Sequence, residues 1–151
     1  MSKFFMIVTN EIDYEWDIEN KFACAGFPER NKKAIQQMEV GDKIIYYVTK
    51  QSKFMAAVEV VGEYFYSEKS IWDDPYDLWP HRIPTRPLVY IDNCDDGVYI
   101  KEIWDNLSFI KTKNKWGSQV QGSFRRLGEN DYNVIINAIN EKKRSLEQPL
   151  Q

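Results

Sequence analysis

An α+β domain built around a small barrel is the fold class the sequence predicts, and three observations carry it. Apolar, β-rich runs recur at strand length: KFFMIVT (3–9), KIIYYVT (43–49) and FMAAVEVVGEYFY (54–66). Gly62 interrupts the last run, as a bend glycine does where a barrel strand turns a corner. Stretches of helical period are inserted between the strands, without the alternating strand–helix rhythm of a doubly wound sheet.

The first run ends at Asn10. Residues 11–23 are polar and aromatic without a clean period, and read as a loop with at most a short helix. Their five acids (Glu11, Asp13, Glu15, Asp17 and Glu19) read as a solvated acidic set. Asn31 is a good N-cap, and Ala34, Ile35 and Met38 recur at helical spacing, which predicts a helix over about 32–39. Gly41-Asp42 turns the chain, and the short KQSK segment joins the two strongest strands as a hairpin. The following SIWDDPYDLWP is a loop loaded with aromatics. Residues 81–91 form a strand interrupted by prolines, hence an edge strand or a bent one. IKEIWDNL (100–107) is a short helix with Ile100, Ile103, Trp104 and Leu107 on one face. KTKNKWGSQVQGS is a basic loop with room for a short strand. Residues 129–142 are an amphipathic helix with Tyr132, Ile135, Ile136 and Ile139 as its stripe. Residues 1–144 make one domain, and 145–151 a frayed tail.

At 151 residues and 43% hydrophobic, the chain can bury a real core. Its 22 aromatic rings (five Trp, nine Tyr, eight Phe) exceed what that core needs, so some line a surface or pocket. The net charge of −3 excludes a globally basic nucleic-acid coat. Residues 106–128 nevertheless hold Lys111, Lys113, Lys115, Arg125 and Arg126 without an acid, and a polyanion needs only a local basic face. Cys24, Cys94 and His81 cannot build a four-ligand zinc site. No stretch approaches the ~20 apolar residues of a membrane span, and the N-terminal run reads as a strand rather than a signal peptide. The expectation is a cytoplasmic protein with reduced thiols, no cofactor, no metal and no membrane partner, most simply a monomer.

Three segments are candidate sites. In CAGFPERNKKA, Gly26 lets a backbone approach a ligand, Phe27 offers a π-face, and Arg30, Lys32 and Lys33 add charge at a helix start. On residues alone, a Gly-Pro turn feeding a capped helix with a solvated basic face explains the stretch better. KTKNKWGSQVQGSFRR interleaves basic residues with Trp116, as stacking on bases requires, or is a solvated loop with its Trp in the core. Trp72, Tyr76 and Trp79 in the third segment suit a cage around a flat or methylated group. A Cys24–His81 nucleophile pair is conceivable but unsupported by any motif, and no Walker-type loop or GxGxxG occurs.

In order, the first strand ending in Thr9-Asn10, then GFPERNKKAIQQMEVGDKIIYYVT, FMAAVEVVGEYF, WPHRIPTRP and FIKTKNKWGSQVQGSFRRLGENDYNVI, the chain resembles the EVE domain over about residues 3–140. That family is PUA-like and related to the YTH and SRA modified-base readers. The resemblance implies a PUA-like mixed β-barrel of about five to six strands with flanking helices. It further implies no catalysis, and a pocket for a modified, methylated-type base flipped out of DNA or RNA. Carried onto this chain, Asn10 reads the base edge, and Cys24, Ala25, Gly26 and Phe27 form one wall. Trp79, Arg82 and Trp116 complete the pocket, with Lys113 and Lys115 on phosphates beside Arg30, Lys32 and Lys33. Many relatives carry an aromatic where this chain has Ala25, which shifts the cage wall to Phe27, Trp72 or Trp79. A small nucleobase-like or anionic metabolite is the alternative ligand, and a Cys/His hydrolase or nuclease the enzymatic one.

Overall fold

The computed structural model describes residues 2–73, 78–111 and 124–147. Six strands form the spine of one mixed sheet, ordered β2 (Cys24–Phe27), β6 (His81–Tyr90), β4 (Lys53–Val60), β3 (Lys43–Val48), β1 (Phe4–Thr9) and β8 (Phe124–Leu127). Two short strands lie off this path: β5 (Phe65–Tyr66) pairs with β6, and β7 (Val98–Tyr99) with β4. β1 and β3 run parallel, and the other pairings are antiparallel. The sheet curls into a half-barrel. Its two ends approach each other where Phe27 of β2 meets Phe124 of β8, ring centroids 5.7 Å apart and edge to face.

β3 and β4 are buried along almost their whole length, as strands covered on both faces must be. The predicted run 54–66 breaks at Val61, and Gly62 explains why. A Cβ there would stand 2.8 Å from Pro84 Cγ, so the chain bends against β6 at a residue without a side chain. β6 is bent as expected but is no edge strand. Its first half, His81–Pro84, pairs with β2, and its second half pairs with β4 across a register shift. Pro84 is tolerated at this change of partner and Pro87 beside the register shift.

Helix α1 (Glu11–Glu19) replaces the loop expected over 11–23. The helix expected over 32–39 is only α2 (Lys32–Ile35), entered through a 3₁₀ turn at Glu29–Asn31. Asn31 makes no capping hydrogen bond with its side chain. α3 (Ile100–Ile103) is one turn, continued by a 3₁₀ turn at Trp104–Asn106. α4 (Glu129–Glu147) lies across β1, β3, β4 and β6, with Ile135 and Ile139 fully buried. It remains helical through Glu147, past the point where the tail was expected to fray.

Candidate functional site

β2 decides which of its residues can meet a ligand, because side chains along a strand alternate between faces. Ala25 and Phe27 point into the core, whereas Cys24 and Gly26 point away from it. The wall expected from Cys24, Ala25, Gly26 and Phe27 together is therefore split. Ala25 and Phe27 are core residues, and an aromatic at position 25 would enter the core rather than a pocket.

Two tryptophans of the segment between β5 and β6 lie over Gly26. A Cβ built on it would stand 2.5 Å from Trp72 Cη2 and 2.8 Å from Trp79 Cβ, so only glycine allows this approach. Gly26→Ala is accordingly expected to lower stability by about 1–3 kcal/mol and to push the Trp72 indole outward. Thermal melting and tryptophan emission check both, and an unchanged melting curve would show that the loop yields freely.

Arg82, opposite Gly26 in the β2–β6 ladder, is 1% exposed and holds its guanidinium 5.3 Å from the Trp72 ring centroid. It donates from Nε to the Trp79 carbonyl at 3.1 Å, and from a terminal nitrogen to the carbonyls of Leu78, at 3.1 Å, and Lys69. Arg82 thus fastens both ends of the tryptophan-bearing segment through its Nε and one terminal nitrogen. Trp79 is half-buried with φ of +51°, a left-handed conformation that costs a bulky residue about 1–2 kcal/mol. The Arg82 bond to its carbonyl helps hold it there.

α1 supplies acids. Spacing of three and four residues puts Asp13, Tyr14 and Asp17 on one buried face, so two of the five acids read as solvated are inside. Asn10 caps this helix: its Oδ1 accepts the Asp13 N–H at 2.7 Å, and its Nδ2 donates to Asp13 Oδ2 at 3.1 Å. Expected as a reader of base edges, Asn10 spends both ends of its amide on Asp13. The Tyr14 hydroxyl reaches the Ile91 carbonyl at 2.8 Å, tying α1 to the end of β6. Asp17 accepts the Trp72 indole N–H at 2.9 Å. Burial pushes its carboxyl up to about 8, opposed by the Trp72 N–H and aided by Asp13. This is the residue that sequence reasoning missed. The signal was present as the Asn10 cap followed by acids at i+3 and i+7.

Burial also pushes the Cys24 thiol up to about 11, with Arg82 opposing and Asp17 adding, so little thiolate forms at neutral pH. His81 pairs with Phe27 and Cys24 with Pro84, which puts the two on opposite faces and about 10 Å apart along the ladder. His81 is engaged elsewhere, by the Tyr64 hydroxyl at Nδ1 (2.7 Å) and by Glu29 at Nε2. The Cys24–His81 pair does not exist.

Arg30, Lys32 and Lys33 are exposed on the turn that follows β2. A single helical turn gives them no helix dipole to reinforce. Lys113, Lys115 and Trp116 lie outside the described residues, as does Tyr76. Among the described residues, no group of three or more His, Cys, Asp or Glu could hold a metal ion, and no helix is long and apolar enough to cross a membrane.

The glycine strand β2, with Trp72 and Trp79 against it, is the outer strand of the half-barrel. The family comparison decides the matter, since the EVE domain profile matches residues 3–138. The chain belongs to the EVE domain family. Among curated proteins, this EVE domain is similar to a UPF0310 protein of Pyrococcus abyssi, 27% identical over 143 residues and covering 87% of this chain and 96% of the relative. A UPF0310 protein of Pyrococcus horikoshii is 23% identical over 146 residues, covering 87% and 95%. Among solved structures, the Mmi1 YTH domain in complex with RNA superposes with a TM-score of 0.67 at 11% identity, covering 96% of this chain and 82% of that one. The Pho92 YTH domain in complex with m6A superposes at 0.62 and 13% identity, covering 91% and 83%. At such identities the likeness is one of fold: EVE and YTH domains share this PUA-like half-barrel.

Proposed function

We propose that this EVE domain is a non-enzymatic nucleic-acid-binding module that receives a modified base, flipped out of its strand, at the Gly26 face. The carrying observation is Gly26 itself, where a strand backbone is kept bare beneath Trp72 and Trp79. An aromatic ring set against bare backbone shows that this face takes a planar group, and a base leaving its stack needs flat contact in exchange, worth ~1–3 kcal/mol per base. The family membership and the fold shared with YTH domains solved on RNA and on m6A support the reading. Lys32 and Lys33, exposed after the end of β2, and Arg30 beside them are suited to meet phosphates.

Titrating the intrinsic tryptophan fluorescence with methylated and unmodified oligonucleotides tests the proposal. A response at low salt, larger for a methylated strand, is expected. Silence toward every oligonucleotide would end it.

One observation favours a second reading, in which a free base or nucleoside is the ligand. Trp72 meets Asp17 and Arg82, and Arg82 commits its Nε and one terminal nitrogen to backbone carbonyls. A free base would bind with little salt dependence, whereas each phosphate contact adds about 0.7–0.9 to the slope of log K against log salt.

A further inference from the structure

At the junction of α1 and β2 a buried carboxyl, a buried hydroxyl and a loop-borne indole lie together. Asp17 is 4% exposed and takes the Trp72 N–H at 2.9 Å. The Tyr46 hydroxyl, on a side chain 2% exposed, has no hydrogen-bond partner among the described residues. Its ring centroid lies 6.4 Å from that of Tyr14, which shares the buried face of α1 with Asp17. Leaving a hydroxyl buried and unpaired is costly, so such a group calls for a partner. Trp72, for its part, is buried at 5% exposure but lies outside the main hydrophobic cluster. It comes from a stretch, Ser67 to Asp73, with no helix or strand. Its ring is laid against Gly26, with the Arg82 guanidinium 5.3 Å from its centroid, and its N–H is directed at a carboxyl. A flat heteroaromatic ring offering an N–H in this way has the shape and donor pattern of a nucleobase.

We propose that the Trp72 indole occupies the place of the flipped base in the free chain, and that Asp17, with the Tyr46 hydroxyl beside it, is the acceptor that reads the N–H edge of the base displacing it. This rests on the base-binding function proposed above and narrows its ligand. The occupant keeps at least one N–H on its pairing edge, as adenine, cytosine and their singly N-methylated forms do. A doubly N-methylated amino group leaves Asp17 without a donor. The Arg82 guanidinium, fixed by backbone carbonyls, stays in place and lies over the incoming ring as it does over Trp72.

The test measures affinity, by fluorescence anisotropy, for labelled single-stranded oligonucleotides carrying N6-methyladenine, N4-methylcytosine or the corresponding dimethylated bases. Native chain, Trp72→Ala and Asp17→Leu are compared after circular dichroism shows each to be folded. Trp72→Ala is expected to bind its preferred singly methylated probe at least about threefold more tightly than the native chain, because the competing indole is gone. Asp17→Leu is expected to lose about tenfold toward that probe and to stop distinguishing it from its dimethylated counterpart. Weaker binding by folded Trp72→Ala would assign the indole to the pocket wall and overturn the inference while leaving the base-binding function standing. Should that variant not fold, Trp72→Phe, which keeps a ring but lacks the N–H, is used instead, and anything other than tighter binding overturns the inference. Binding of no probe by the native chain overturns the function itself. In solution NMR the Trp72 Nε1–H is expected to lose its exchange protection at saturation; retained protection would contradict displacement.

Discussion

Arg82→Met is expected to cost the fold about 3–5 kcal/mol, more than any other single exchange near the site. Methionine matches the length of the aliphatic stem but cannot donate. The carbonyls of Lys69, Leu78 and Trp79 then lose a charged donor together, and the Trp72 ring loses its cation. These carbonyls belong to both ends of one segment, so the loss is cooperative: releasing either end removes the geometry that holds the other. Trp79 would relax from its left-handed backbone once its carbonyl is free. Arg82→Lys is expected to fall between, because an ammonium is a point donor and cannot reproduce the planar fork. Urea unfolding gives the stability change, and limited proteolysis between 69 and 79 reports the loosened segment. A loss below about 1 kcal/mol with unchanged cleavage would show that Arg82 is not the fastener.

The strands were legible because their signal is local. The runs at 3–9, 43–49 and 54–60 combine β-formers with continuous burial, and the bend at Gly62 is written in a residue type. The site was legible only where chemistry and spacing coincide, as with Gly26 and the loop tryptophans. Arg82 looked like a ligand contact because an arginine beside a histidine and two prolines gives no hint that three carbonyls converge on it from residues 69–79. Phe27 misled for a geometric reason. Four consecutive residues of an extended strand cannot share a wall, and the core claimed the odd-numbered pair. Asp17 was hidden by its neighbours. Acids at every second position from 11 to 19 look uniformly solvated, yet winding them into a helix buries 13 and 17 and leaves Glu11, Glu15 and Glu19 outside. Helix formation was itself obscured, since burying acids beside Tyr14 erases the apolar stripe on which periodicity relies.

The buried Asp17 also sets the direction in which stability depends on pH. In the fold its carboxyl holds a proton up to about pH 8, mainly because burial penalises the charge. In the unfolded chain an aspartate releases its proton near pH 4. Between those limits the folded chain binds one more proton than the unfolded one. The contribution of Asp17 is therefore fully present below about pH 4, declines as the pH rises, and is lost through about pH 8. One extra bound proton corresponds to a slope of about 1.4 kcal/mol per pH unit. Asp17→Asn cannot ionise, and its side-chain carbonyl can still accept the Trp72 N–H, so it removes the titration while keeping the contact. From pH 5 to pH 7 the native chain is expected to lose about 2–3 kcal/mol more stability than the variant, as read from urea unfolding at each pH. Taking the difference between the two proteins cancels carboxylates remote from Asp17, such as Glu59 with its partners Lys43 and Arg86. Parallel stability profiles would mean that Asp17 is already ionised in the fold. Trp72 would then be held by a full carboxylate, a stronger acceptor that a displacing base would find harder to win.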